Sequence, residues 1–131
     1  TAITIDLVDQ QGGHHGGYIT PGITLMKTAL KANTVNLDLV QQLPESTGPG
    51  RNRSECINQG VLAMVVAMIN AQLNYYSDPV VYITGGDGCL LVPFVNAQCR
   101  LIPELVMDGL ALAFAGFEES YVGRANALGC S

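Results

Sequence analysis

Residues 2–9, AITIDLVD, alternate in polarity, with Ile3, Ile5 and Leu7 on one side and Thr4 and Asp6 on the other. A two-residue repeat of this kind predicts a half-buried β-strand. After QQGG, the run HHGGYIT reads as a second strand across a hairpin. The period then changes. In PGITLMKTALKAN, Ile23, Leu25, Met26 and Leu30 line one face of a helix, and Pro21 sits near its start, where proline is tolerated. Residues 37–50 carry no clear period and end in the punctuated run LPESTGPG.

The sharpest start signal follows. Asn52 stands three residues before Glu55, the spacing of a capping box, and predicts a helix from Arg53 to Tyr76. Its middle is apolar nearly all round: Val61, Leu62, Met64, Val65, Val66, Met68 and Ile69. A helix without a polar face is expected to be buried on more than one side. DPVVYITGGDG reads as a buried strand running into a glycine turn, and CLLVPFVNA as a short helix or turn. CRLIPELVMDGLALAFAGFEE gives a short strand and then a helix from about Glu104 to Phe117. The tail SYVGRANALGCS shows little pattern. The order is β-β-α-α-β-α-β-α, with room for one more early strand. Strands alternating with helices imply one layered α/β domain with a mixed sheet.

Composition narrows the function classes. Of the 131 residues, 48% are apolar and only 13% are charged, against roughly 25% charged in an average domain. Much of the chain is therefore buried, or part of its surface meets a partner. The net charge is −5, and the six basic residues, Lys27, Lys31, Arg51, Arg53, Arg100 and Arg124, are scattered. That argues against a nucleic-acid groove, which needs clustered cations. The longest apolar run, Val61 to Ile69, is too short to span a bilayer, and no leader pattern is visible. Cys56, Cys89, Cys99 and Cys130 have no metal-ligand spacing and are read as reduced, buried thiols of a cytoplasmic protein. The chain opens without Met, already in mid-strand, so residues are expected before Thr1.

The glycine-dense stretch GGHHGGYITPG, Gly12 to Gly22, has two readings: a plain hairpin turn, or a segment that approaches a substrate or an interface. Four motifs in order bear on it. TAITIDLVD resembles the end of a D-x-G-T-A-x-T-x-D phosphate motif, GGYITPG a G-G-x-I-x-P-G signature, GRN with SECINQG a G-R-N-T-x-x-x-x-x-x-G run, and TGGDG after VVYI a strand-end adenosine motif. In this order and spacing they resemble the type III pantothenate kinases, also called Baf-type activators, of the actin-like superfamily. The resemblance covers nearly all of this chain and the second half of the family's usual length. It implies an actin-like ATPase (ribonuclease H-like) domain with a mixed sheet flanked by helices, here residues 1–131, the C-terminal half of a longer two-domain kinase.

The resemblance also implies chemistry. The family moves the γ-phosphoryl group of ATP onto the hydroxyl of pantothenate, in coenzyme A synthesis, with magnesium and a monovalent cation, potassium or ammonium. Thr1 fits the phosphate-contacting threonine. Gly85 and Gly86 fit the place where adenosine lies against bare backbone, and Asp87 either caps the next segment or faces the ribose. The family's GRNT threonine contacts pantothenate near a homodimer interface, but Arg53 stands at that position. Ser54 supplies a hydroxyl one residue late, or Arg53 pairs with the substrate carboxylate, or the site has decayed. Asn33 falls where some relatives contact substrate. His14 and His15 are read as exposed hairpin residues rather than catalytic bases. The family's base, an Asp in a G-x-D-R segment, and its cation-binding Asp have no counterpart in this sequence, so the chain alone is expected to be inactive. The rival reading is a non-catalytic Baf-type regulator with the same fold.

Overall fold

The computed structural model describes residues 1–33, 44 and 46–115. Strands β1 (Ala2–Val8) and β2 (His14–Pro21) form an antiparallel hairpin that pairs Ile3 with Thr20 and Ile5 with Tyr18. Ile3, Ile5 and Leu7 are the half-buried positions of β1, as the alternation requires. At the tip the Asp9 carboxylate accepts the amides of Gln11 and Gly13, closing the turn. The glycines of the motif have a packing reason as well. A Cβ on Gly17 would collide with the Ile5 carbonyl oxygen of the facing strand.

Helix α1 (Ile23–Ala32) follows without a linker. Pro21 closes β2 instead of opening the helix, because the Gly22 amide donates to the Thr1 carbonyl at 2.8 Å and extends the hairpin ladder by one residue. Ile23 is buried and Met26 packs beside it, whereas Leu25 and Leu30 are exposed. The apolar face of α1 is thus narrower than the sequence suggests.

Helix α2 (Arg53–Leu73) begins at its capping box. The Asn52 carbonyl oxygen of the side chain accepts the Glu55 amide at 3.0 Å, and Glu55 in turn accepts from Asn52 Nδ2 and the Arg51 amide. The helix ends short of Tyr76, as Tyr75 and Tyr76 donate three residues back in tight turns. Within the domain it buries one face, Asn58, Val61, Leu62, Val65 and Val66, at the spacing of a single helical stripe. The opposite side is open, and Met64 is 62% exposed. Burial on several sides is therefore not met among the described residues. As a whole α2 is long and apolar enough to cross a membrane, which the nine-residue run alone is not. In this fold its buried stripe is the core, clustered with Ile23 and Leu91 and flanked by Ile3, Met26, Ile69, Leu90 and Phe94.

Strands β3 (Val80–Ile83) and β4 (Gln98–Leu101) run parallel. They are joined by helix α3 (Gly88–Leu91) and a 3₁₀ turn, Val92–Phe94. The Asn70 side chain ties α2 to this crossover by donating to the Phe94 carbonyl and accepting the Asn96 amide. Helix α4 (Leu105–Ala115) follows β4 and is exposed along its described length. Element order is as the sequence suggests, but the sheet is not. Among the described residues, parallel and antiparallel pairing occur in two separate two-stranded sheets, because each strand takes the partner delivered by its nearest connection, a tight hairpin or a helical crossover. β3 is half-exposed, with only Ile83 buried. Cys56 and Cys89 are exposed rather than buried, and both are free thiols, as is the half-buried Cys99. Cys130, the tail, Phe117 and most of residues 37–50 lie outside the described residues.

Candidate nucleotide and substrate site

β3 delivers the chain into the turn Thr84–Gly88. Gly85 holds φ +92, a left-handed conformation that L side chains rarely adopt. Its carbonyl accepts the Gly88 amide at 3.1 Å, closing the turn. A Cβ on Gly86 would meet nothing within 4 Å, so this backbone is bare toward the outside. Thr84 is pinned behind it, donating from Oγ1 to the Pro103 carbonyl at 3.1 Å. Asp87 takes the N-cap position of α3, yet its side chain makes no capping bond. Of the two roles weighed for it, the cap is not formed.

Thr1 is exposed at the start of β1, and its carbonyl is held by the Gly22 amide. Helix α1 therefore starts against Thr1. Further along α1, Lys27 is half-buried. Burial pushes its ammonium below the ordinary lysine range, and the nearby Asp87 carboxylate pulls it back up. The fold thus fixes Thr1 to the start of α1, and the charge of Asp87 is felt at Lys27 further along that helix. Sequence reading missed Lys27. The available signal was its spacing, since it lies four residues after Ile23 and so shares the inward face of α1.

The other predicted residues stand apart from this group. Arg53 and Ser54 open α2. Arg53 is exposed, and the Ser54 hydroxyl accepts from Asn58 Nδ2 at 3.3 Å. Beside them is a cleft of about 300 Å³, lined by the loop Thr47–Gly50 and by Cys56, Gln59, Gly60 and Ala63 of α2. Asn33 caps the far end of α1, its amide donating to the Ala29 carbonyl at 2.8 Å. A ten-residue helix spans about 15 Å, so Asn33 is not brought to Thr1.

The histidines belong to the hairpin. His14 Nε2 lies 3.1 Å from Asp6 Oδ1 and His15 Nε2 lies 2.7 Å from Asp9 Oδ2, all four residues being exposed. The His15 bond, then the Gly13 amide, hold the Asp9 carboxyl below its ordinary value. Its contribution to the tip is present at neutral pH and is lost as pH falls through that depressed value. Among the described residues no group of three or more His, Cys, Asp or Glu side chains is placed to hold a metal ion.

Helices and two small sheets around one buried cluster define an α/β domain. The family model described as type III pantothenate kinase matches residues 1–75, and the chain belongs to that family. The match takes in the hairpin, α1 and the whole of α2, while the Gly85–Asp87 turn lies beyond it. The type III pantothenate kinase of Azotobacter vinelandii is 33% identical over 123 residues, covering 86% of this chain and 49% of that protein. That of Pseudomonas fluorescens strain Pf0-1 is 37% identical over 122 residues with the same coverage. The chain thus spans about half the length of these relatives. A Campylobacter jejuni structure described as a Baf family transcriptional activator superimposes with a TM-score of 0.68 at 24% identity, covering 90% of this chain and 55% of that one. That likeness bears on the fold.

Proposed function

We propose that this chain is the C-terminal, actin-like half of a cytoplasmic type III pantothenate kinase that phosphorylates pantothenate with ATP. The observation that carries the reading is the bare turn at the end of β3, where Gly85 is left-handed and Gly86 opens onto free space. Phosphoryl transfer is mostly positioning and charge stabilisation. Thr1 would present its hydroxyl to the phosphates. Gly85 and Gly86 would lie under the adenosine, and the Asp87 carboxylate, not used as a cap, would accept from a ribose hydroxyl. Arg53 suits the pantothenate carboxylate better than Ser54, because its exposed guanidinium can hold both oxygens while Ser54 offers a single hydroxyl donor. Asn33 acts as a helix cap and receives no substrate contact in this account. Magnesium would ride on the nucleotide phosphates, as suits a small cation that keeps several of its waters. Potassium or ammonium would bind through residues outside this chain.

Gly86→Val tests the nucleotide side. The position has open space and an ordinary φ, so the folded domain should tolerate the side chain while a bound nucleotide should not. We expect the KM for ATP of the intact protein to rise about tenfold, at unchanged melting temperature. An unchanged KM removes the turn from the site.

The proposal includes a homodimer through the open side of α2. Gly60, Met64 and Ala67 are exposed there, and α4, itself exposed, leaves them uncovered. A two-fold axis would bury the same patch on both copies. Met64→Asp is expected to convert dimer to monomer in sedimentation without loss of fold. A monomeric unmutated protein at tens of micromolar contradicts the dimer. The regulator reading is favoured by one sequence feature, Arg53 in place of the family threonine, and by the name of the structural neighbour.

A further inference from the structure

Helix α4 is held at its start and open beyond it. The Ile102 amide donates to the Ile83 carbonyl at 2.8 Å, and Thr84 Oγ1 donates to the Pro103 carbonyl. The base of the helix is thus fixed to the end of β3, beside the glycine turn. None of its described residues belongs to the buried cluster. Yet its side chains are those of a core. Leu105, Val106, Met107, Leu110, Leu112 and Phe114 are between 38% and 76% exposed. Asp108 is the one charge between Leu105 and Ala115, and with Ala111 and Ala115 it marks a single narrow strip of the helix. The large apolar side chains occupy the rest of the circumference. A helix of this kind belongs inside a larger structure or a membrane, and so broad an apolar surface is unusual on a monomer.

The occupants can be separated. Eleven residues rise about 16 Å, against about 30 Å of bilayer hydrocarbon. A helix lying on a membrane surface would carry Lys or Arg on its polar strip, and α4 has neither. A second copy pairs one matching stripe from each helix, which is narrower than the surface found here, and the open side of α2 already offers such a stripe. The remaining occupant is the rest of a longer protein. This chain covers 49% of the Azotobacter vinelandii and Pseudomonas fluorescens proteins and 55% of the Campylobacter jejuni chain. About half of each has no counterpart here, enough chain to surround a helix of three turns.

We propose that α4 is a docking helix that binds the other half of the same polypeptide over Leu105–Phe114. This rests on the reading of the chain as one half of a longer protein. The two hydrogen bonds at its base set the helix in place before the partner arrives, so less ordering is needed on association. They also bring the docked half beside the Gly85–Gly86 turn.

The test places the photo-cross-linker p-benzoylphenylalanine at Phe114 of the intact protein, an aromatic exchange, and maps the cross-linked peptides by mass spectrometry. The expected product has the mass of one polypeptide and joins position 114 to a peptide outside residues 1–131. A product of doubled mass, a cross-link confined to residues 1–131, or no cross-link overturns the proposal. Leu112→Asp is the second measurement. A charge forced into the covered face is expected to lower the melting temperature of the intact protein by about 5–10 °C, and an unchanged melting temperature also overturns the docking role. An intact polypeptide with no chain beyond residues 1–131 rejects the half-protein reading itself, and the docking helix with it.

Discussion

The 131-residue chain on its own is expected to release no pantothenate-dependent ADP. A general base must reach the attacking hydroxyl within hydrogen-bonding distance, and its loss costs about 10²–10⁴-fold. The resemblance assigns that base to a G-x-D-R segment, which this sequence does not contain. The aspartates of the described site region do not replace it. Asp6 and Asp9 are paired with His14 and His15 at the hairpin, and Asp87 is assigned to the ribose. The measurement is a coupled ADP-release assay on the purified chain with and without pantothenate. Turnover stimulated by pantothenate would mean that one of these carboxylates serves as base, and the assignment of roles would have to change.

Leu62→Ala is expected to cost about 3–5 kcal/mol of stability, the range for a fully buried leucine whose site cannot collapse. Leu62 is at 0% exposure, at the centre of the stripe on α2. Its cluster contains Ile23 from α1 and Leu91 from α3, so the cavity would loosen the hairpin unit and the β3–β4 unit together. With native stabilities of about 5–15 kcal/mol, such a loss leaves a domain near its limit. Met64→Ala, two residues on but exposed, should stay within about 0.5 kcal/mol. Urea denaturation of both variants makes the comparison. Similar midpoints for the two would show that α2 does not hold the two units together through this stripe.

Local physics made much of the fold readable in advance. The alternation in β1 and the Asn52–Glu55 pair act within a few residues, and both take the predicted form. The failures are long-range. Periodicity identifies a buried face only when polar residues mark the outer one. In α2 the outer face carries Gly60, Met64 and Ala67, so the sequence could not separate the core stripe from the open side. Strand pairing is set by which segments meet, and nothing within Val80–Ile83 specifies that its partner is Gln98–Leu101 alone. The site divides in the same way. The glycines of the turn show as a motif, and the positive φ of Gly85 gives the physical reason for one of them. That Ile23 of α1 and Leu91 of α3 share one buried cluster depends on how distant elements meet, and no local pattern records it.

The central claim is that this domain serves ATP-dependent phosphorylation of pantothenate. The most direct measurement is ADP formation by the intact protein, titrated with pantothenate and coupled to detection of phosphate on the pantothenate hydroxyl. The account predicts that ADP forms only when pantothenate is present and in equal amount to phosphorylated pantothenate. ADP formation indifferent to pantothenate, or none at saturating ATP and pantothenate with magnesium and potassium or ammonium supplied, would contradict it.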